Sequence, residues 1–262
     1  QDAEATGYLM YKLLDAFKKK FNEDNLGKMN SYAEGGQVYK RARPSHMTIL
    51  VKTQAGLKNL YKLVSVASTK DFYRVPRTPK SELNKYHDGL LYGSACSQGD
   101  VFTAMMQKGY DEAREKAKFY DYLEIQLPAN YSQLIANHLV ADEKQLEEIL
   151  TNIYKLGKEL KKPVVATGDV HYIDPQDAVY RTILIFSQRG NPNRDEKQPD
   201  LHFYTTQEML DAFSFLGRDA AKEVVIDNTN KIADSLDDIA PIKSGLYPPH
   251  IDNADEQMKR LT

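Results

Sequence analysis

One cysteine, Cys96, is present in 262 residues, which excludes an internal disulfide and fits a reducing compartment. No apolar run approaches the ~20 residues of a membrane span, so no membrane partner is expected. Net charge is only −2, which removes any global electrostatic case for binding nucleic acid or an anionic surface. There is no G-x-G-x-x-G, no G-x-x-x-x-G-K-[ST], no C-x-x-C and no H-E-x-x-H. Ser94 lies in YGSACS, which is not a nucleophile elbow. Dinucleotide binding and acyl transfer are therefore weakly supported. The start, QDAEATG, is acidic and polar rather than a signal peptide. It has no methionine, so the expectation is a processed product or a piece of something longer. No internal repeat or low-complexity tract is found.

What is present is ordinary soluble composition, 41% hydrophobic and 27% charged, arranged as alternating strand and helix patterns. Asp2 is placed to cap a helix over residues 3–21, with Ala5, Leu9, Leu13 and Phe17 on one face. Residues 22–44 are polar and Gly-bearing and are read as a linker at a domain boundary. Within it, Lys40, Arg41 and Arg43 suit a solvated loop or a phosphate contact. MTILVK (47–52) reads as a strand, followed by a helix from Gln54 with Leu57, Leu60, Tyr61 and Val64 at helical spacing. DFYRVPRTPKSEL is an extended, proline-bearing connection, and Ser81–Tyr86 a short helix. Residues 89–92 form a second strand, 99–107 and 111–119 helices, and YLEIQL (122–127) a third strand.

Asp142 caps the best-patterned helix of the chain, with Leu146, Ile149, Ile153 and Leu160 facing inward. Gln145 is spaced to return that capping contact. Val164–Thr167 is a β-branched apolar run, the signature of a buried parallel strand. Asp174-Pro175 then starts a helix whose buried side is Ala178, Val179, Ile183 and Phe186. Residues 189–200 are a loop and 201–204 a brief strand. Thr205 and Glu208 make a capping box, Gly217 stops that helix, and 218–236 is the last helix. This alternation indicates βα units around a parallel sheet or barrel, an α/β fold rich in helix.

Ligands gather at the carboxyl ends of strands in such folds. Asp169 and His171 follow one strand and Cys96 follows another. Thiolate, imidazole and carboxylate together suit zinc or a zinc-like ion. The plainer readings are a polar loop with a capping Asp for D-x-H, and a small buried apolar residue for the lone cysteine. His46 precedes its strand, on the wrong side for this rule, and alone reads as a capping or surface histidine. His87, His138, His202 and His250 have no partner at ligand spacing.

HMTILVKTQAGLKNLYKLVS, YRVPRTPKSEL, LLYGSACSQGDVF, YLEIQLPANY and VVATGDVHYIDPQDAVYRTILI occur here in order. Together they resemble the PHP (polymerase and histidinol phosphatase) domain of bacterial C-family replicative polymerases, in the PolC type of DNA polymerase III alpha subunit. The opening QDAEATGYLMYKLL resembles the end of the inserted 3′–5′ exonuclease, and the tail from Asn228 the segment leading towards the polymerase domains.

The resemblance implies a fold, α/β and helix-rich: part of a PHP-type (β/α) barrel with parallel strands, plus an N-terminal helix from a neighbouring exonuclease domain. It implies an exonuclease helix at 1–21, a linker at 22–44, the C-terminal portion of a PHP domain at 45–240 and a linker at 241–262. It implies PHP metal ligands at His46, Cys96, Asp169 and His171, and an exonuclease metal aspartate at Asp2. The implied cofactors are zinc or manganese in the PHP site and magnesium for the parent polymerase and exonuclease. The implied partners are the first PHP half, the exonuclease and the palm, with DNA and dNTPs in a cytoplasmic parent.

There are departures from the family pattern. The histidine expected just before Asp2 is missing, SQRGNPNRDEKQPDLHF is slightly short, and the H-x-H strand of the first PHP half is not in the chain. The expectation is a parent that synthesises DNA and a segment inactive alone. A free-standing phosphoesterase and a metal-free scaffold are the rival readings.

Overall fold

A computed structural model describes residues 2–25, 43–188, 198–242, 244–246 and 250–261. Most of the expected linker, with Lys40 and Arg41, and the loop 189–197 lie outside the described residues.

The first helix, α1 (Asp2–Phe21), begins at Asp2 itself, so Asp2 is a first-turn residue and not a cap; its carbonyl accepts from Thr6 Oγ1 at 2.7 Å. None of its residues is buried, and Leu9 and Leu13 are exposed. The core lies further on. β1 (Thr48–Val51) leads into α2 (Gln54–Ser68), capped by the Thr53 hydroxyl accepting from Gly56 N. The buried face of α2 is Leu57, Leu63 and Ala67, while Tyr61 and Val64 point outward. α3 (Lys80–Lys85) precedes β2 (Leu90–Gly93), and α4 (Asp100–Gln107) and α5 (Tyr110–Ala117) follow.

β3 (Leu123–Gln126) is buried at every position. After it come α6 (Ser132–Ala136), α7 (Glu143–Leu160) and β4 (Val164–Thr167). The inner face of α7 is the expected one, extended by Leu150 and Leu156. Asp142 caps it by accepting from Gln145 N at 2.8 Å, while the Gln145 side chain accepts from Ala141 N, one residue earlier than expected.

Strand order decides where the site lies. β3 and β4 are parallel, Leu123 opposite Val164 and Gln126 opposite Thr167. β1 and β2 are antiparallel, Thr48 opposite Gly93 and Val51 opposite Leu90. That corrects the expectation of parallel strands throughout. A single parallel bridge, Gly93 to Tyr122, joins the two ladders. Asp121 fastens this seam by accepting from Tyr92 N at 2.7 Å, while His87 Nε2 sits 2.9 Å from the same carboxylate. Among the described residues the strands form two two-stranded ladders and no closed barrel. The fold is a helix-rich α/β assembly.

Four elements differ from the sequence reading. α8 (Ala178–Ser187) buries only Ile185, leaving Val179, Ile183 and Phe186 exposed. The expected strand at 201–204 is reduced to one bridge, Tyr172 to His202. The capping box of α9 (Thr206–Ala212) forms as expected. The helix expected over 218–236 is instead α10 (Arg218–Lys222), a wider π-type turn (Glu223–Asp227) and α11 (Asn228–Ala233). A further helix, α12 (Ala254–Leu261), lies where only a linker was expected.

Glu223 in the wide turn gives a test of packing. Burial alone would raise its carboxyl, but bonds from Lys158 and Tyr154 outweigh that and hold it below the ordinary 4.5. A lowered folded-state value means the stabilisation is present above the unfolded value and is lost as pH falls through the folded one. Glu223→Gln should therefore be less stable than the parent at neutral pH, and the gap should close in acid. Urea midpoints of both proteins across the acid range check this; a gap independent of pH would show that the charge is irrelevant.

Candidate metal-binding site

The antiparallel turn of β1 resolves the position of His46. Because β1 runs against β2, its amino end lies beside the carboxyl end of β2. His46 there forms a bridge to Gly99, and its N–H donates to Gln98 O at 3.0 Å. Its Nδ1 stands 3.3 Å from Cys96 Sγ. Two ligands of one zinc ion lie within roughly 4.5 Å of each other, so this pair has the spacing of shared ligands.

The loop that presents Cys96 is held open at the seam. Beyond the Gly93 bridge, side chains replace ladder bonds. Ser94 Oγ accepts from Glu124 N at 2.9 Å, and Glu124 Oε1 accepts from Ala95 N at 3.2 Å. A Cβ at Gly93 would come within 2.4 Å of both Glu124 Oε1 and the Tyr122 ring, so a larger residue there would displace both side chains. Ala95 takes φ 58°, a left-handed conformation that costs an L residue roughly 1–2 kcal/mol. Burial first, and then the Glu124 carboxylate, push the Tyr122 hydroxyl well above its usual range.

The result is a pocket of about 480 Å³ lined by His46, Cys96, Glu124, Gln126 and Thr167 among others. Glu124 is a buried carboxylate whose Oε2 also accepts from Thr167 at 3.4 Å. A buried carboxylate is costly without a compensating positive group. Sequence reasoning passed over Glu124; the signal was a charge in the middle of the buried strand YLEIQL.

Asp169 and His171 make a second pair. Their carboxylate and Nε2 are 3.2 Å apart, and both side chains are partly exposed. The backbone around them is fixed from two sides. His171 N donates to Leu201 O at 2.9 Å, and the Asn130 amide oxygen accepts from Asp169 N at 3.0 Å. Gly168 lines the pocket; Asp169 and His171 do not. The four expected ligands thus stand as two pairs. Among the described residues no three His, Cys, Asp or Glu side chains gather closely enough to hold an ion. Asp2 stands exposed on α1.

Three other histidines have partners that spacing did not reveal: His87 with Asp121, His202 with Asp200 at 2.8 Å, and His250 with Asp252 at 3.0 Å. His202 is buried against the Tyr204 ring, its Nε2 lacking a partner among the described residues. Burial and the Asp200 carboxylate push the Tyr204 hydroxyl up to about 12.

Thiol, imidazole and carboxylate are the donor types that transition-metal ions take, and a closed zinc site takes four of them, twice what either pair holds. By fold and donor set this is an α/β module with candidate metal ligands gathered at strand ends. Residues 10–126 match the PHP domain family. Along its whole length the chain is similar to part of PolC-type DNA polymerase III chains. It is 54% identical over 263 residues to "DNA polymerase III PolC-type" of Pediococcus pentosaceus, covering all of this chain and 18% of that one. The proteins of the same description from Bacillus cereus and Bacillus subtilis are 52% and 51% identical, with the same coverage. The chain spans about a fifth of the length of these curated relatives. Among the described residues no helix is long and apolar enough to cross a membrane.

Proposed function

We propose that this chain serves as the PHP module of a replicative DNA polymerase and that its site binds a divalent metal in a structural role. The observation that carries the reading is the 3.3 Å approach of His46 Nδ1 to Cys96 Sγ across two strands that the sequence separates by fifty residues. His46 and Cys96 are the ligands offered to one ion, with Glu124 as the buried carboxylate facing the same pocket. Asp169 and His171 are a second pair on the neighbouring loop. The remaining ligands come from the rest of the polymerase, which also carries the first PHP half, the magnesium-dependent exonuclease and the palm, and which takes DNA and dNTPs as its partners. With zinc bound, the ion supplies a cross-link between the entry to β1 and the loop after β2. The chain's own residues position the donors. Ser94 and Glu124 hold the loop, and the β1–β2 register sets the distance. Nothing in this role requires the isolated chain to turn over a substrate.

Thiol labelling of Cys96 tests the reading. Zinc at micromolar concentration should slow labelling, and His46→Ala should remove the zinc-dependent part of the protection, because that part needs both ligands. Manganese is the comparison ion. Labelling rates indifferent to zinc in the parent chain would leave Cys96 an ordinary loop cysteine and overturn the assignment.

A further inference from the structure

Beyond β4 the chain leaves regular structure, and the loop that carries Asp169 and His171 lies against a second irregular segment, residues 200–204. Two backbone bonds join them. His171 N donates to Leu201 O at 2.9 Å and Phe203 N to Ile173 O at 3.2 Å, on either side of the one parallel bridge of Tyr172 with His202. A pairing this short is marginal in water by itself.

Asp200 supplies what the ladder lacks. Its Oδ1 lies 2.8 Å from His202 Nδ1 and accepts from His202 N and from the Tyr172 hydroxyl, each at 3.4 Å. Its Oδ2 accepts from the Tyr204 hydroxyl at 3.2 Å. The Tyr172 hydroxyl in turn accepts from Leu201 N at 2.9 Å, so the residue beside His171 is bonded to both Asp200 and Leu201. On the other flank the Asn130 amide spans the same gap, accepting from Asp169 N at 3.0 Å and donating to Asp200 O at 3.3 Å. His202 is buried and its Nε2 has no partner, so among the described residues Asp200 is the polar group that orients the imidazole. A carboxylate that only shaped its own turn would need the donors of His202 and Tyr204. Asp200 also takes a hydroxyl from across 28 residues of sequence.

We propose that Asp200 is a positioning residue for the Asp169–His171 pair. Through Tyr172 and His202 its carboxylate holds residues 200–203 against 171–173 and so fixes where the two candidate ligands stand. Asp200 is not itself offered as a ligand. The inference deepens the proposed metal role, on which its consequence for ion binding rests; its consequence for the metal-free loop stands apart from that role.

The test uses the full chain, first in EDTA. Amide hydrogen exchange of His171, bonded to Leu201, and of Asp169, bonded to Asn130, is followed by NMR beside Leu150 and Ile153 of α7. Asp200→Asn should speed exchange at His171 and Asp169 about tenfold or more and leave the α7 amides within about twofold. Tyr172→Phe, which keeps the carboxylate and removes only the hydroxyl, should act in the same direction at His171. Asp219→Asn, an equal charge change at the exposed start of α10, should change none of these rates. Unchanged exchange at His171 in Asp200→Asn, or acceleration equal to that of the α7 amides, would overturn the proposal. Manganese is then added, and its paramagnetic broadening of the His171 imidazole resonances is read. The concentration for half-broadening should rise about tenfold in Asp200→Asn, the order of loss when a group supporting a ligand is removed, while zinc protection of Cys96 stays at the parent's level. Equal half-broadening concentrations in the two proteins would overturn the positioning role. No broadening in the parent would defeat the metal assignment of this pair alone, and the exchange rates would still decide what Asp200 does.

Discussion

Gly56→Ala should destabilise the chain by about 3 kcal/mol or more, at the upper end of the range for overpacking a closed contact. A Cβ at Gly56 would lie 1.8 Å from Gly89 O and 2.4 Å from Gly89 C. Both are backbone atoms, and they cannot swing away as a side-chain tip can. Gly89 itself holds φ +73°, a conformation that glycine adopts readily. Its carbonyl also accepts from Lys52 N at 2.8 Å and Thr53 N at 3.2 Å, tying the end of β1 to the start of β2. Moving α2 outward to admit the methyl group would pull on the register that sets His46 beside Cys96. The variant should therefore lose both thermal stability and zinc protection of the thiol. Gly7→Ala is the control, since a Cβ there meets nothing within 4 Å. Calorimetric unfolding of the two variants side by side decides the matter; equal melting temperatures would mean that the α2 contact yields easily.

Leu150→Ala should cost about 2–5 kcal/mol, the range measured for leucine truncation in closed cores. Leu150 is 0% exposed, on the inner face of α7 with Leu146, Ile153 and Leu156. That face packs against α4 and β3, so the cavity would open between elements that each have other contacts and cannot collapse freely. For a chain of this size the loss corresponds to a fall in melting temperature of roughly 4–20 °C. Leu13→Ala on α1 should change the same transition by less than ~0.5 kcal/mol, because that side chain is 52% exposed. A Leu150→Ala loss no larger than that of Leu13→Ala would show that α7 is not central to the core.

The contrast between α7 and α8 shows where sequence reading stops. Both carry apolar residues at helical spacing, and both form. In α7 the polar residues fill the opposite face, so only one orientation buries the stripe. In α8 apolar residues lie all round: Val179, Tyr180, Ile183, Leu184 and Phe186 are exposed and only Ile185 is buried. Periodicity cannot select a face when no face is polar. The face expected to be buried was therefore not recovered, whereas that of α7 was.

The sequence by itself determined the local structure and the candidate ligands. Asp142 and the Thr205–Glu208 box act within a single helical turn, so their roles are written in neighbouring residues. Short runs of four to six residues, β-branched in β4, placed all four strands, and the order of the motifs pointed to the family. Strand direction was decided only in three dimensions. Apolar content and side-chain alternation are the same whether a strand runs with or against its neighbour. The sequence of β1 therefore could not say which of its ends lies beside Cys96. The antiparallel register of Thr48 with Gly93 made that choice, turning His46 from a residue on the wrong side of the sheet into the thiol's partner. Glu124 was hidden for the same reason: a carboxylate within a buried strand has meaning only once Ala95, Thr167 and the opened seam beside it are known.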